Sequence, residues 1–85
     1  MAEALNKQQI EERVRKVVVN QLQVDAAEVK PDSLFVDDLG ADSLDLTELA
    51  VAFEDEFDIE IPEADFGQLS TVEGVVQYIS GRLAH

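Results

Sequence analysis

Asp42-Ser43-Leu44-Asp45-Leu46-Thr47-Glu48-Leu49-Ala50-Val51-Ala52-Phe53-Glu54-Asp55-Glu56-Phe57 is the stretch that decides the fold. Leu46, Leu49, Ala50, Phe53 and Phe57 recur at steps of three and four, which lays them along one face of an α-helix. The helix is expected to start near Asp42-Ser43 and to end near Phe57. Asp42 or Ser43 serves as its N-cap, because a short side-chain oxygen can accept a bond from an amide left unpaired at a helix start. Asp45, in the first turn, is favoured by the positive end of the helix dipole.

Two longer helices flank this one. Upstream, Ile10, Val14, Val17, Val18 and Leu22 share a face, which predicts a helix from Gln8 to Leu22 capped by Asn6, with Gln9 completing a capping box. The run Val17-Val18-Val19 is β-branched, but the longer helical period outvotes it. Downstream, Val72, Val75, Val76, Ile79 and Leu83 predict a last helix beginning after Ser70, with Ser70 and Glu73 as a capping pair and Gly81 as a stop. Between them a short helix is expected after Ile61-Pro62, with the proline at its first position and Gly67 ending it. Residues 23–41 form a long connection whose Val24, Val29, Leu34, Phe35 and Leu39 are expected to pack on the bundle. The fold class is therefore all-α: a small helical bundle of three longer helices plus one short helix, with a long first loop. Residues 1–85 are read as one domain.

Composition bounds the chemistry. The chain has 85 residues, 46% of them hydrophobic, which supports a core rather than disorder. Without cysteine it has no disulfide, no thiolate metal site and no thiol nucleophile of its own. No apolar run approaches the length of a membrane span, so membrane insertion is not expected. The opening Met1-Ala2-Glu3-Ala4-Leu5-Asn6-Lys7 is too polar for a signal peptide. A cytoplasmic monomer is expected, with a processed organellar form as the alternative. The net charge is −13, and between Pro31 and Gly81 there are fourteen acids and no base. Such a surface repels nucleic acid and anionic membranes and speeds encounter with basic protein patches. Its plainer reading is a solvated face that keeps the protein soluble. Self-repulsion among uncompensated acids predicts stabilisation by salt or magnesium.

Taken alone, Ser43 reads as a helix cap. As a catalytic nucleophile it lacks a general base: the only histidine is His85, the last residue, and nothing places Lys30 nearby. Enzyme activity is therefore not expected. A calcium loop beginning at Asp37 would place Leu39, Ala41 and Asp42 where two oxygen ligands and a glycine are required, so it fails. Leu44 and Val51 lie opposite the apolar stripe, among Thr47, Glu48 and Asp55. Isolated exposed apolar residues are ordinary, yet an apolar pair ringed by charge also describes a transient docking surface. The residues by themselves define an acidic helical interaction module with a serine at a helix start.

The segment Asp38-Leu39-Gly40-Ala41-Asp42-Ser43-Leu44-Asp45 resembles the attachment motif of acyl carrier proteins of the fatty-acid-synthesis type. Thr47-Glu48-Leu49, the run Phe53 to Pro62, Ser70-Thr71-Val72, Tyr78-Ile79 and Glu11-Glu12-Arg13-Val14 extend the resemblance over nearly the whole chain. It implies that a magnesium-dependent phosphopantetheinyl transferase attaches 4′-phosphopantetheine from coenzyme A to Ser43. The arm then carries acyl groups as thioesters between fatty acid synthase enzymes and acyltransferases. By the same resemblance Asp42, Leu44, Asp45, Glu48, Val51, Glu54 and Asp55 meet basic docking patches of those partners. Phe35, Leu39, Leu46, Leu49, Ala50, Phe53, Ile61, Leu69 and Val75 are the matching candidates for an acyl pocket, and each is also a candidate for ordinary core.

The sequence departs from the fatty-acid pattern in places. Leu46 and Thr47 stand where Thr then Val are usual, Val51 where Met is common, and Phe66 where a small residue is frequent. These departures motivate a rival, a specialised carrier for an unusual lipid or polyketide pathway. A rival of another class is an acidic adaptor in which Ser43 is only a cap.

Overall fold

The structure is a computed structural model describing residues 6–83; residues 1–5 of the polar opening stretch, and His85, lie outside the described residues. The first helix, α1, spans Lys7–Leu22. Its capping box forms as expected, with the Gln9 amide donating to Asn6 Oδ1 at 2.8 Å and the Asn6 amide donating to Gln9 Oε1 at 3.0 Å. Ile10, Val14, Val17 and Val18 are buried, while Val19 and Leu22 pack at the core margin. The β-branched run stays helical because two of its three valines are committed to the core, which outweighs a small propensity cost.

The second helix, α2, spans Ser43–Phe57, and the third, α3, spans Val72–Leu83. A 3₁₀ segment, Glu63–Leu69, supplies the short helix, and a single 3₁₀ turn, Ala26–Glu28, sits in the long first loop. One hydrophobic core joins them, with Phe35, Phe53, Ile10, Leu49, Ile79, Val14, Val18, Val75 and Val76 as its fully enclosed side chains. Among the described residues the architecture is all-helical, with three longer helices and one short one.

The long loop is anchored as its apolar residues predict. Val29, Phe35 and Leu39 are buried, Val24 packs at the core edge, and Leu34 is half-buried. Backbone bonds stitch it to the start of α3. The Phe35 amide donates to the Ser70 carbonyl at 3.1 Å, Val72 to Ser33 at 3.2 Å and Glu73 to Pro31 at 2.8 Å. Ser33, the one buried polar residue of the described chain, donates from its hydroxyl to the Glu28 carbonyl at 2.9 Å and accepts from the Lys30 amide at 3.0 Å.

Four helix boundaries differ from expectation. Gly67 and Gly81 end nothing: a glycine stops a helix by adopting the left-handed conformation, and among the glycines only Gly40 does so, at φ 75°. The 3₁₀ segment therefore runs on to Leu69 and α3 to Leu83. Ser70 does not cap α3, because its own backbone is helical (φ −78°, ψ −24°) and an N-cap needs an extended one. Thr71 takes that role, its Oγ1 accepting from the Gly74 amide at 3.0 Å. Pro62 is extended at ψ 149° and precedes the 3₁₀ segment rather than opening it.

Candidate functional site

Gly40 and Asp42 set the entry to α2. The positive φ at Gly40 turns the chain so that the Gly40 amide donates to the Val36 carbonyl at 3.1 Å and the Ala41 amide to the Phe35 carbonyl at 2.8 Å. A side chain at Gly40 would have open space, so the glycine serves backbone conformation alone. Asp38 is occupied within this turn, its Oδ2 accepting from the Leu34 amide at 2.8 Å. Asp42 then caps α2: its Oδ1 accepts from the Asp45 amide at 2.9 Å, and Asp45 Oδ2 accepts from the Asp42 amide at 3.2 Å.

This settles which of two residues is the cap. Asp42 holds the capping position and Ser43 is the first helical residue. The Ser43 side chain is exposed, and its hydroxyl takes no part in the capping box. Its backbone carbonyl accepts from the Thr47 hydroxyl at 3.1 Å.

Ser43 also stands on the rim of a cavity. The space measures about 220 Å³ and is lined by Phe35, Ser43, Leu46, Thr47, Leu49, Ala50, Phe53, Glu63, Phe66 and Leu69. Ser43, Thr47 and Glu63 are exposed and form its polar mouth; Phe35, Leu49, Ala50, Phe53 and Leu69 are buried and form its floor. Six of the nine residues expected to line a pocket do border this space. Leu39, Ile61 and Val75 do not: they are buried in the core away from it. Periodicity reports that a residue faces inward, not which internal surface it reaches. Thr47, Glu63 and Phe66 were missed as lining residues, since their neighbourhood depends on how the 3₁₀ segment meets α2.

The outer face of α2 carries Leu44, 66% exposed, and Val51, 51% exposed. Asp42, Glu48 and Asp55 are exposed, and Asp45 and Glu54 are half-buried. Among the described residues the ion pairs are Arg13 with Glu56 at 3.5 Å and Arg82 with Asp65 at 3.2 Å, so none of those five acids is paired with a base. Glu54 is nevertheless occupied, its Oε2 accepting from the Ile61 amide at 2.7 Å and holding the chain that leaves α2. Sequence reasoning missed Val36, 53% exposed in the turn before α2. The signal was its position between buried Phe35 and the acids Asp37-Asp38.

The start of α2 thus combines an aspartate cap, an exposed serine hydroxyl beside it and an apolar cavity at its foot. The chain matches the phosphopantetheine attachment site family over residues 12–79, and it belongs to that family. Domains of this family bear a covalent 4′-phosphopantetheine, are modified by a phosphopantetheinyl transferase and present their cargo to acyl-processing enzymes; they are not catalysts themselves. The residues here fit such a group, with a solvent-facing hydroxyl free of the cap bond and an apolar recess alongside it.

Proposed function

We propose that this protein carries growing acyl chains in fatty acid biosynthesis, on a 4′-phosphopantetheine arm attached to Ser43. The observation that supports the reading best is the exposed Ser43 hydroxyl, relieved of capping by Asp42 and standing on the rim of the cavity. The prosthetic group supplies the thiol that a chain without cysteine lacks. Ser43 contributes the hydroxyl to be modified; the transferase contributes the base and metal. The phosphate lies at a helix N-terminus, where the dipole favours an anion, while Asp38, Asp42 and Asp45 repel it and favour an arm directed outward.

The cavity shelters the first part of the acyl chain. Partner enzymes with basic patches meet Asp42, Asp45, Glu48 and Asp55, and Leu44 and Val51 add apolar contact. Glu54 contributes its charge to this face while its carboxylate holds the Ile61 amide. Exposed charges of this kind give fast, salt-sensitive association rather than tight binding, which suits a shuttle that must leave each partner. A single-domain cytoplasmic monomer fits this role. The test is intact mass before and after incubation with coenzyme A, magnesium and a promiscuous transferase. A gain of one phosphopantetheine that Ser43→Ala lacks supports the reading. No gain in folded protein returns the chain to the adaptor reading.

One observation favours a second reading, a carrier dedicated to an unusual lipid or polyketide. Phe66 places an aromatic ring in the cavity wall. Failure of ordinary fatty acid synthase enzymes to elongate chains on the loaded protein would select it.

A further inference from the structure

The wall of the cavity that faces α2 is the 3₁₀ segment, and that segment is fixed from behind. Asp65 is the anchor. Its Oδ2 accepts from the Tyr78 hydroxyl at 2.6 Å and from Arg82 Nη2 at 3.2 Å, and Arg82 Nη2 also reaches the Tyr78 hydroxyl at 2.6 Å. The Arg82 guanidinium stacks over the Tyr78 ring, 5.0 Å from its centroid. Both partners lie on α3, so the latch pulls the segment towards α3. Among the described residues no comparable latch ties it to α2: the Gln68 side-chain amide bonds within the segment to Asp65, and Glu63 is exposed at the cavity mouth. Phe66 follows the anchor directly and is half-buried in the cavity wall. The latch therefore fixes where the chain brings this ring into the wall.

We infer that Phe66, held in place by the Asp65–Tyr78–Arg82 latch, narrows this cavity and so limits how long an acyl chain this protein can shelter. The inference rests on the carrier reading and names its substrate class. An apolar cavity of about 150 Å³ holds one benzene molecule. On that scale the 220 Å³ here takes a saturated chain of roughly eight carbons. Shorter chains fit with the segment at rest. Longer ones leave their ends in water. Phe66 and Tyr78 are thus specificity-determining and positioning residues, respectively, and neither bears the prosthetic group.

The test loads the protein with saturated acyl-phosphopantetheine chains in even-carbon steps, confirms loading by intact mass and records the melting temperature of each species. Burial of each added methylene stabilises the folded state, so the melting temperature should climb with chain length and level off at about eight carbons. Phe66→Ala should move that plateau out by about two to four carbons, since only part of the ring borders the cavity. Phe66→Leu keeps an apolar wall should the alanine variant fold poorly, and should move the plateau less. Tyr78→Phe removes the hydroxyl from the latch without touching the cavity, frees the segment to settle onto α2, and should move the plateau inward. Plateaus that coincide in all four proteins, or a melting temperature indifferent to chain length, would overturn the assignment while leaving the carrier reading intact. Absence of any loading would overturn both.

Discussion

The seam between α1 and α3 and the seam between α2 and the 3₁₀ segment are built from similar residues and behave differently. In the first, Ile10, Val14, Val18, Val75, Val76 and Ile79 are each at most 2% exposed. Branched aliphatic side chains with few rotamers are enclosed there. In the second, Leu49 and Phe53 are equally buried, yet a cavity of about 220 Å³ lies beside them. The 3₁₀ segment is drawn to α3 by a polar latch, and no such tie closes it onto α2. One seam holds the molecule together and the other leaves it room, and a domain this small can have both only because the division is sharp.

The comparison breaks most readily in the closed seam. Ile79→Ala should cost about 3 kcal/mol, because the tightly enclosed site cannot collapse around the loss. Leu46→Ala, at the half-buried margin of the open seam, should cost about 1 kcal/mol. Urea denaturation of both variants measures the contrast, and equal losses would erase the distinction. Gly74 tests the joint between the two seams. A Cβ there would lie 2.6 Å from the Gln68 carbonyl oxygen at the end of the 3₁₀ segment. Gly74→Ala should therefore destabilise by about 2 kcal/mol despite its better helix propensity, through overpacking against backbone.

The next two predictions sharpen the open side. Asp42→Ala should cost about 1 kcal/mol by removing the cap, whereas Ser43→Ala should change stability by less than about 0.5 kcal/mol. The same denaturation curves distinguish a serine kept for its hydroxyl from one kept for the fold. The smallest effect is the pH response of the latch. Desolvation, with the Asp65 hydrogen bond adding to it, raises the Tyr78 hydroxyl above its ordinary 10.0, although Arg82 acts the other way. The neutral phenol is favoured in the folded state, so its contribution is complete below pH 10.0 and is lost as pH climbs through the raised value. Alkaline melting curves of the wild type should fall away more steeply than those of Tyr78→Phe; parallel curves would remove the latch from the account.

Legibility in the sequence followed the range of the interactions involved. The three long helices and the Asn6–Gln9 box are local, and spacing alone announces them. Reading Asp42 and Ser43 as alternative caps was as far as local chemistry reached, since both side chains suit the role and only backbone geometry separates them. The role of Thr71 in place of Ser70 escaped for the same reason. Gly67 and Gly81 misled because a glycine permits a left-handed turn without compelling it. The cavity was half legible. Leu46, Leu49, Ala50 and Phe53 lie on one helix face, but Phe66 and Glu63 join them from across the bundle. The latch was invisible, because Asp65 finds its partners one and more turns along a different helix.

The stitching of the first loop to the threshold of α3 gives the molecule an order in time. Phe35, Ser33 and Pro31 take their backbone partners from Ser70, Val72 and Glu73, in the opposite half of the chain. During synthesis those partners emerge after α2 is already outside the ribosome, and closing so long a loop is among the slower steps a small helical domain must take. The turn before Ser43 is therefore expected to settle late. A nascent or misfolded chain would offer the serine without its setting, and a modifying enzyme that reads the setting would pass it over.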